Sequence, residues 1–296
     1  MENIGIFTVL GIIFTATVRS ATPLMFASLG GNFSERSGVF NIGLEGIMTV
    51  GAFSAVFFSY KTGSPWAGLI GAMVIGGLFG LLLAFLSIYF KANQVIVGTA
   101  INILAASLTT FLLVEIWGRP GQTDNVNYFQ TWGPFNFFTY FAFVMVAVSY
   151  YVMYKTPFGL RIRAVGEHPR AADTLGVNVY TTRYICVTIS GILAGIGGAS
   201  LSIGSLSLFK EGMIAGKGFI ALAALIFGKW YPVGAALACL FFGFADAIQT
   251  VATNLPVPKE FLFALPYIMT MLAVSGFVGK SVGPAAGGIP YEKGEK

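Results

Sequence analysis

Apolar runs occupy residues 4–18, 20–34, 38–59, 66–90, 94–117, 136–154, 183–207, 215–228, 232–251 and 260–279, with short polar breaks between them. A helix needs about 20 apolar residues to cross a hydrocarbon core about 30 Å thick. The pattern therefore predicts an all-α, polytopic membrane protein with about ten transmembrane helices. The runs at 20–34 and 215–228 are too short to cross as straight helices, and each adjoins a glycine-rich segment. The first carries Gly30, Gly31, Gly38, Gly43 and Gly46, and the second Gly212, Gly216 and Gly218. Short, glycine-interrupted segments in corresponding positions of two halves predict discontinuous helices whose ends face a pathway near the bilayer midplane. Other glycines predict close helix contact: Gly76, Gly80 and Ala84 recur every fourth residue, as do Gly191, Gly195 and Ala199.

The longest polar interruption lies near the middle of the chain, at residues 155–182, and predicts a loop within a single membrane domain spanning 1–296. Lys155, Arg161, Arg163, Arg170 and the following Arg183 make it basic, which places it on the cytoplasmic side. Within it, Glu167-His168-Pro169 reads as a helix start, with an acidic residue at the positive end of the dipole and Pro just inside. Gly176 reads as the stop. A helix of about two turns is marginal alone in water, so it must dock, either on the membrane domain itself or on a second protein.

Six runs precede this loop and four follow it, so with the loop inside, both termini are expected in the cytoplasm. That assignment puts 11 of the 17 basic residues inside. On the outer side, the segment from Gly118 to Phe135 is long enough to touch a delivery protein.

Composition agrees with the pattern. The chain is 56% hydrophobic and only 10% charged, with a mean hydropathy of +0.79, whereas about a quarter of the residues in a soluble domain are charged. The net charge of +5 sits in loops, where topology and anionic headgroups account for it without nucleic acid. Cys186 and Cys239 lie inside apolar runs and form no redox or metal motif.

His168 is the only histidine and sits in the polar loop, so no hydrolytic triad can be built within the membrane. Gly279-Lys280-Ser281 and Gly216-Lys217 both lack the remaining residues of a phosphate-binding loop, so no nucleotide cofactor is expected on this chain. Ionisable groups inside apolar runs are few: Glu45, Glu115, Lys217 and Asp246, with Asn41, Asn102 and Gln249 as neutral companions. Such groups face the bundle interior, a wet cavity or one another. Asn41 and Glu45 are four residues apart, and Asp246 and Gln249 three, so each pair shares a helical face. With Asn102 they are candidates to line a path for an uncharged, hydrogen-bonding solute. Interhelical polar contacts, or ties that hold broken backbone, remain the competing reading of the same residues.

The loop G-L-R-I-R-A-V-G-E-H-P-R-A-A-D-T-L-G-V-N-V at 159–179 resembles the coupling segment of the branched-chain amino acid and ribose type permeases of ABC importers, and within them most resembles nucleoside permeases. The run T-P-L-M-F-A-S-L-G-G-N-F-S-E-R-S-G-V-F-N-I-G-L-E-G at 22–46 and the run K-G-F-I-A-L-A-A-L-I-F-G-K-W-Y-P-V-G-A at 217–235 are similar to theirs, as is the tail G-I-P-Y-E-K-G-E-K. His168 stands where the family usually has asparagine. The resemblance implies a permease of the cell membrane that is not itself an enzyme. Gly166, Glu167, His168, Pro169, Arg170, Ala171, Ala172, Asp173 and Gly176 would form the coupling element, seated in a separate cytoplasmic ABC ATPase. A second, related permease chain forming a heterodimer, an extracytoplasmic solute-binding lipoprotein and a nucleoside substrate are implied as partners. The alternatives are a permease for ribose, other simple sugars or branched-chain amino acids, and an ion-coupled carrier using Glu45 or Asp246.

Overall fold

The computed structural model describes residues 6–251 and 282–293. The expected span at 260–279 and the Gly279-Lys280-Ser281 segment lie outside the described residues. Ten α-helices are described: α1 Ile6–Arg36, α2 Leu44–Thr62, α3 Pro65–Ala84, α4 Gln94–Trp117, α5 Phe137–Lys155, α6 Pro157–Glu167, α7 Pro169–Thr174, α8 Val179–Leu201, α9 Lys217–Phe227 and α10 Pro232–Val251. Among the described residues, six helices are long and apolar enough to cross a membrane. A two-residue hairpin, Thr131–Trp132 with Phe135–Asn136, is the only sheet among the described residues.

Local chemistry sets most helix ends. Asn93, Asn136 and Asn178 each cap the helix that follows by accepting from backbone N–H groups one turn in. Thr156 caps α6, with Pro157 in its first turn. Gly63 and Gly118 close α2 and α4 in the left-handed conformation. Helix α3 runs on to Tyr89 through a π turn, and α8 to Leu206 through another.

The centre of the bundle is α1, α2, α3 and α8. Both four-residue small-residue faces expected from the sequence meet there. A Cβ on Gly191 would lie 2.3 Å from the Gly76 carbonyl oxygen, and one on Gly76 would lie 2.5 Å from that of Gly191. The α3–α8 backbones touch, and only glycine fits between them. Helix α1 lies between α8 and α10. Gly30 packs on Ser190 of α8, and Gly243 of α10 packs on Thr17 and Ala21 of α1.

One expectation is corrected here. From Ile6 to Arg36, the two expected spans at 4–18 and 20–34 are a single helix of 31 residues. Arg19, which separates them in the sequence, donates to the Pro134 carbonyl at 2.7 Å from its flank, and the helix continues past it because an isolated arginine at a helix edge can reach a surface carbonyl. Pro23 is accommodated within it. The polar end of α1, Arg36, lies beside Glu167 of α6, while Arg19 lies beside the 118–136 loop. Five helices, rather than six runs, therefore precede the α6–α7 segment, and α1 begins on the face opposite it.

Candidate functional site

The first half of the site is the break between α1 and α2. Gly38 has φ +91°, and a Cβ there would lie 2.8 Å from the guanidinium of Arg183. Several polar side chains around this break are spent on its backbone or its flanks, while the Asn41 Oδ1 and both amide atoms of Asn32, one turn before the end of α1, are buried without a hydrogen-bond partner. Gln94 accepts from Phe40 N at 2.7 Å. Ser34 donates to the Val39 carbonyl at 2.6 Å. Asn102 of α4 bridges the break's end, accepting from Gly46 N at 2.7 Å and donating to the Ile42 carbonyl at 3.0 Å. Asn41 is fully buried and donates to Ser190 of α8 at 2.8 Å.

The second break runs from Ser207 to Gly216, between α8 and α9. Ser207, Gly212, Ala215 and Gly216 all have positive φ. Its backbone is satisfied from the 118–129 segment: Thr123 N and Val126 N donate to the Phe209 and Ser207 carbonyls at 2.9 and 2.8 Å, and Glu211 N donates to the Gly121 carbonyl at 2.9 Å. The 118–129 segment thus supplies the partners that non-helical backbone needs. Helix α9 then has 11 residues, about 16 Å at 1.5 Å per residue, or half of a bilayer core.

Glu45 joins the two breaks. It stands in the first turn of α2, and its carboxylate accepts from Gly216 N at 2.8 Å and Gly218 N at 2.7 Å, at the start of α9. Anionic oxygen at a helix N-terminus meets both the unpaired N–H groups and the positive end of the dipole. Space enforces the contact, since a Cβ on Gly218 would lie 2.5 Å from the Glu45 backbone. Beside it, Lys217 reaches Asp246 of α10 at 3.9 Å. Asn41, Glu45 and Asn102 thus gather on the two breaks, and Asp246 is linked to them through Lys217. Gln249 lies one turn farther along α10, partly buried. Glu115 is exposed near the end of α4.

On the opposite face of the bundle from the hairpin, the polar loop folds differently from its expected form. The expected short helix is α7, with Pro169 in its first turn, and α6 precedes it, joined to it through His168 at φ −140°, ψ 79°. Glu167 ends α6 instead of starting α7. Phe158, Ile162 and Val165 turn inward at helical spacing and bind α6 to the bundle. Gly166 is seated against α1, where a Cβ would lie 2.0 Å from the Arg36 carbonyl oxygen. Glu167 pairs with Arg36 at 3.6 Å and accepts from Ala285 N at 3.3 Å. Ala172 is buried beneath α7, and Asp173 faces Lys293 at 3.9 Å. Gly176 ends the segment at φ +82°. His168, Arg170, Ala171 and Leu175 remain exposed, Leu175 at 84%.

Sequence reasoning missed two features. Helix α6 is announced by Thr156-Pro157 and by the 158, 162, 165 apolar spacing. Arg183, counted with the polar loop, is 2% exposed. It donates to the Ser37 carbonyl at 3.1 Å and to the Ile289 carbonyl at 3.1 Å. Its place on the buried face is marked by Val179, Cys186, Val187 and Ser190, which recur at helical spacing around it.

Comparison with known proteins places this geometry. Residues 13–274 match the family of branched-chain amino acid transport system permease components. The chain is 44% identical to the guanosine ABC transporter permease protein NupQ of Bacillus subtilis strain 168, over 98% of this chain and 99% of that one. It is 40% identical to the nucleoside ABC transporter permease protein NupC of Lactococcus lactis subsp. cremoris strain MG1363, again over 98% and 99%. TsgC13 of Haloferax volcanii, named provisionally as a glucose ABC transporter permease protein, is 38% identical over 84% of this chain and 80% of its own. Among solved structures, an inward-facing metal-chelate type ABC transporter aligns with TM-score 0.50 at 16% identity, covering 93% of this chain and 90% of that one, a likeness of fold alone.

Proposed function

The chain belongs to the branched-chain amino acid transport system permease family, and from that membership we propose that it is a translocating subunit of an ABC importer for nucleosides. The solute class is supported by NupQ and NupC, which match almost end to end. The observation that carries the permease reading is the meeting of α2 and α9, two helices that each begin at a break in the bundle and are joined through Glu45.

In this reading α6 and α7 face the cytoplasm and seat in a groove of a separate ATPase, with the exposed edge from His168 to Leu175 as the contact. Ala172, Asp173 and Glu167 point back into the permease and hold that edge in place, so the coupling segment has an outer, docking side and an inner, anchoring side. The 282–293 segment shares the cytoplasmic face, and α1 starts from the outer face. A second permease chain and an extracytoplasmic binding protein complete the importer, the latter meeting the 118–136 loop. ATP-driven closure of the ATPase pair would move α6 and α7, and rigid helices would pass the displacement to the breaks as alternating access. Asn41, Asn102 and Glu45 hold the broken backbone in register at the pathway, and Asp246 with Gln249 extends the polar stripe along α10.

A sugar permease is the second reading, favoured by the resemblance to TsgC13. Uptake of radiolabelled guanosine in a strain deleted for this gene and re-expressing it separates the two. Guanosine uptake that unlabelled adenosine suppresses and glucose does not is the expected result. The reverse competition would replace the nucleoside assignment with the sugar one.

A further inference from the structure

Helix α7 has six residues and buries only Ala172, too little to hold itself in place. Residues 284–293, within the last described segment, supply much of what fixes it and the end of α6 beside it. Ala286 N donates to the Gly166 carbonyl at 2.9 Å, and Lys293 faces Asp173 at 3.9 Å. The Tyr291 ring closes a small separate core with Val165, Ala172 and Val179, and burial, then the neighbouring Asp173, pushes its phenol above its ordinary pKa.

The same ten residues also grip the first break. Gly288 N donates to the Gly38 carbonyl at 3.2 Å. Arg183, buried in α8, uses one guanidinium nitrogen on the Ile289 carbonyl and another on the Ser37 carbonyl, so one side chain ties the segment to the break. Glu292 pairs with Lys91 at the turn between α3 and α4. The coupling helices, the first break and α8 therefore share a single strap. From the break the linkage continues through Asn41 to Ser190 and through Asn102, then Glu45 to the start of α9.

We propose that residues 284–293 are a transmission strap that carries displacement of α6 and α7 to the broken segment at 37–43, with Tyr291 and Arg183 as its positioning residues. The inference rests on the importer reading for what moves α7, and on contacts within this chain for the route. For α6 a parallel contact exists, since Gly166 against the Arg36 carbonyl and the Arg36–Glu167 pair reach the end of α1 directly, so the strap is argued chiefly as the route from α7.

The test uses the whole complex, with its ATPase and second permease, carrying a chain truncated before Pro284, and Tyr291→Ala and Tyr291→Phe as point variants. The truncated complex should retain its ATPase on purification and hydrolyse ATP, while guanosine moved per ATP falls at least tenfold. Tyr291→Ala should lower that ratio at least threefold, and Tyr291→Phe, which keeps the ring in its core, should leave it within twofold of wild type. If truncation prevents assembly, Tyr291→Ala decides. An unchanged ratio in Tyr291→Ala overturns the proposal, as does loss of the ATPase from that complex, since the strap would then only build the docking face. If the unmodified complex moves no guanosine on ATP, the importer reading fails separately. Hydrogen exchange in peptides covering 37–43 still judges the strap: faster exchange in Tyr291→Ala supports it, and unchanged exchange removes it.

Discussion

Replacing Glu45 with alanine should disconnect the two broken helices while leaving every apolar contact of α2 in place. The carboxylate accepts from Gly216 N and Gly218 N at 2.8 and 2.7 Å, and Gly218 is buried. A hydrogen bond to a charged group contributes about 1.5–3 kcal/mol, so two deleted together set an upper range of about 3–6 kcal/mol. Glu45 is only partly buried, and water reaching the vacated space would satisfy part of what is lost, which brings the expected destabilisation to about 2–4 kcal/mol. Glu45→Gln should cost roughly half as much, because one carboxylate oxygen becomes an NH2 group that cannot accept. Gly218→Ala is an independent cut: it leaves the carboxylate intact but forces a Cβ within 2.5 Å of the Glu45 backbone. Thermal unfolding of the purified complex in detergent, alongside guanosine uptake, reads all three variants. The expected order of stability is wild type, then Gln, then Ala, with uptake reduced at least tenfold in Glu45→Ala and Gly218→Ala. Wild-type stability and uptake in both Glu45→Ala and Gly218→Ala would refute the joint between the breaks.

Gly191→Val should separate α3 from α8, because even a single Cβ there would lie 2.3 Å from the Gly76 carbonyl oxygen; the check is the amount of chain that survives detergent extraction, expected to fall severalfold and to be unchanged if the helices are not in backbone contact. Gly176→Val should cost about 1–2 kcal/mol, the penalty of a left-handed residue with a Cβ, and should reduce uptake more than membrane insertion, measured by surface labelling against transport. Arg170→Glu on the exposed edge should weaken co-purification of the ATPase without lowering the permease's melting midpoint, whereas Asp173→Lys, facing Lys293 at 3.9 Å, should lower that midpoint. Equal behaviour of the two charge reversals would contradict the division into docking and anchoring sides.

Much of the architecture was legible because lipid leaves a chain few choices. Apolar runs mark helices, and small residues at 76, 80, 191 and 195 mark a helix contact that the structure places face to face. The two interruptions were visible as glycine clusters, but only the second adjoins a short helix, since the run at 20–34 belongs to the 31-residue α1. Their partners were not, because the pairing of Glu45 with Gly216 and Gly218 spans more than 170 positions and no local pattern encodes it. The polar residues offered two readings, lining or tying, and Asn102 and Glu45 are engaged in tying backbone. Arg19 misled the division of α1, since a charge between two apolar runs reads as a boundary until a carbonyl on another segment is seen to accept from it. Arg183 misled in the other direction. It sits among loop arginines in the sequence, yet it is buried in α8 between two backbone carbonyls.

The central claim is that this chain converts motion supplied by another protein and has no drive of its own. The most direct measurement reconstitutes it with its second permease in liposomes, with and without the cytoplasmic ATPase, and follows guanosine accumulation with binding protein outside. Accumulation that requires ATPase and ATP and survives collapse of the proton gradient is the predicted result. Accumulation against a gradient without the ATPase, driven by protons and lost in Glu45→Gln, would contradict the account.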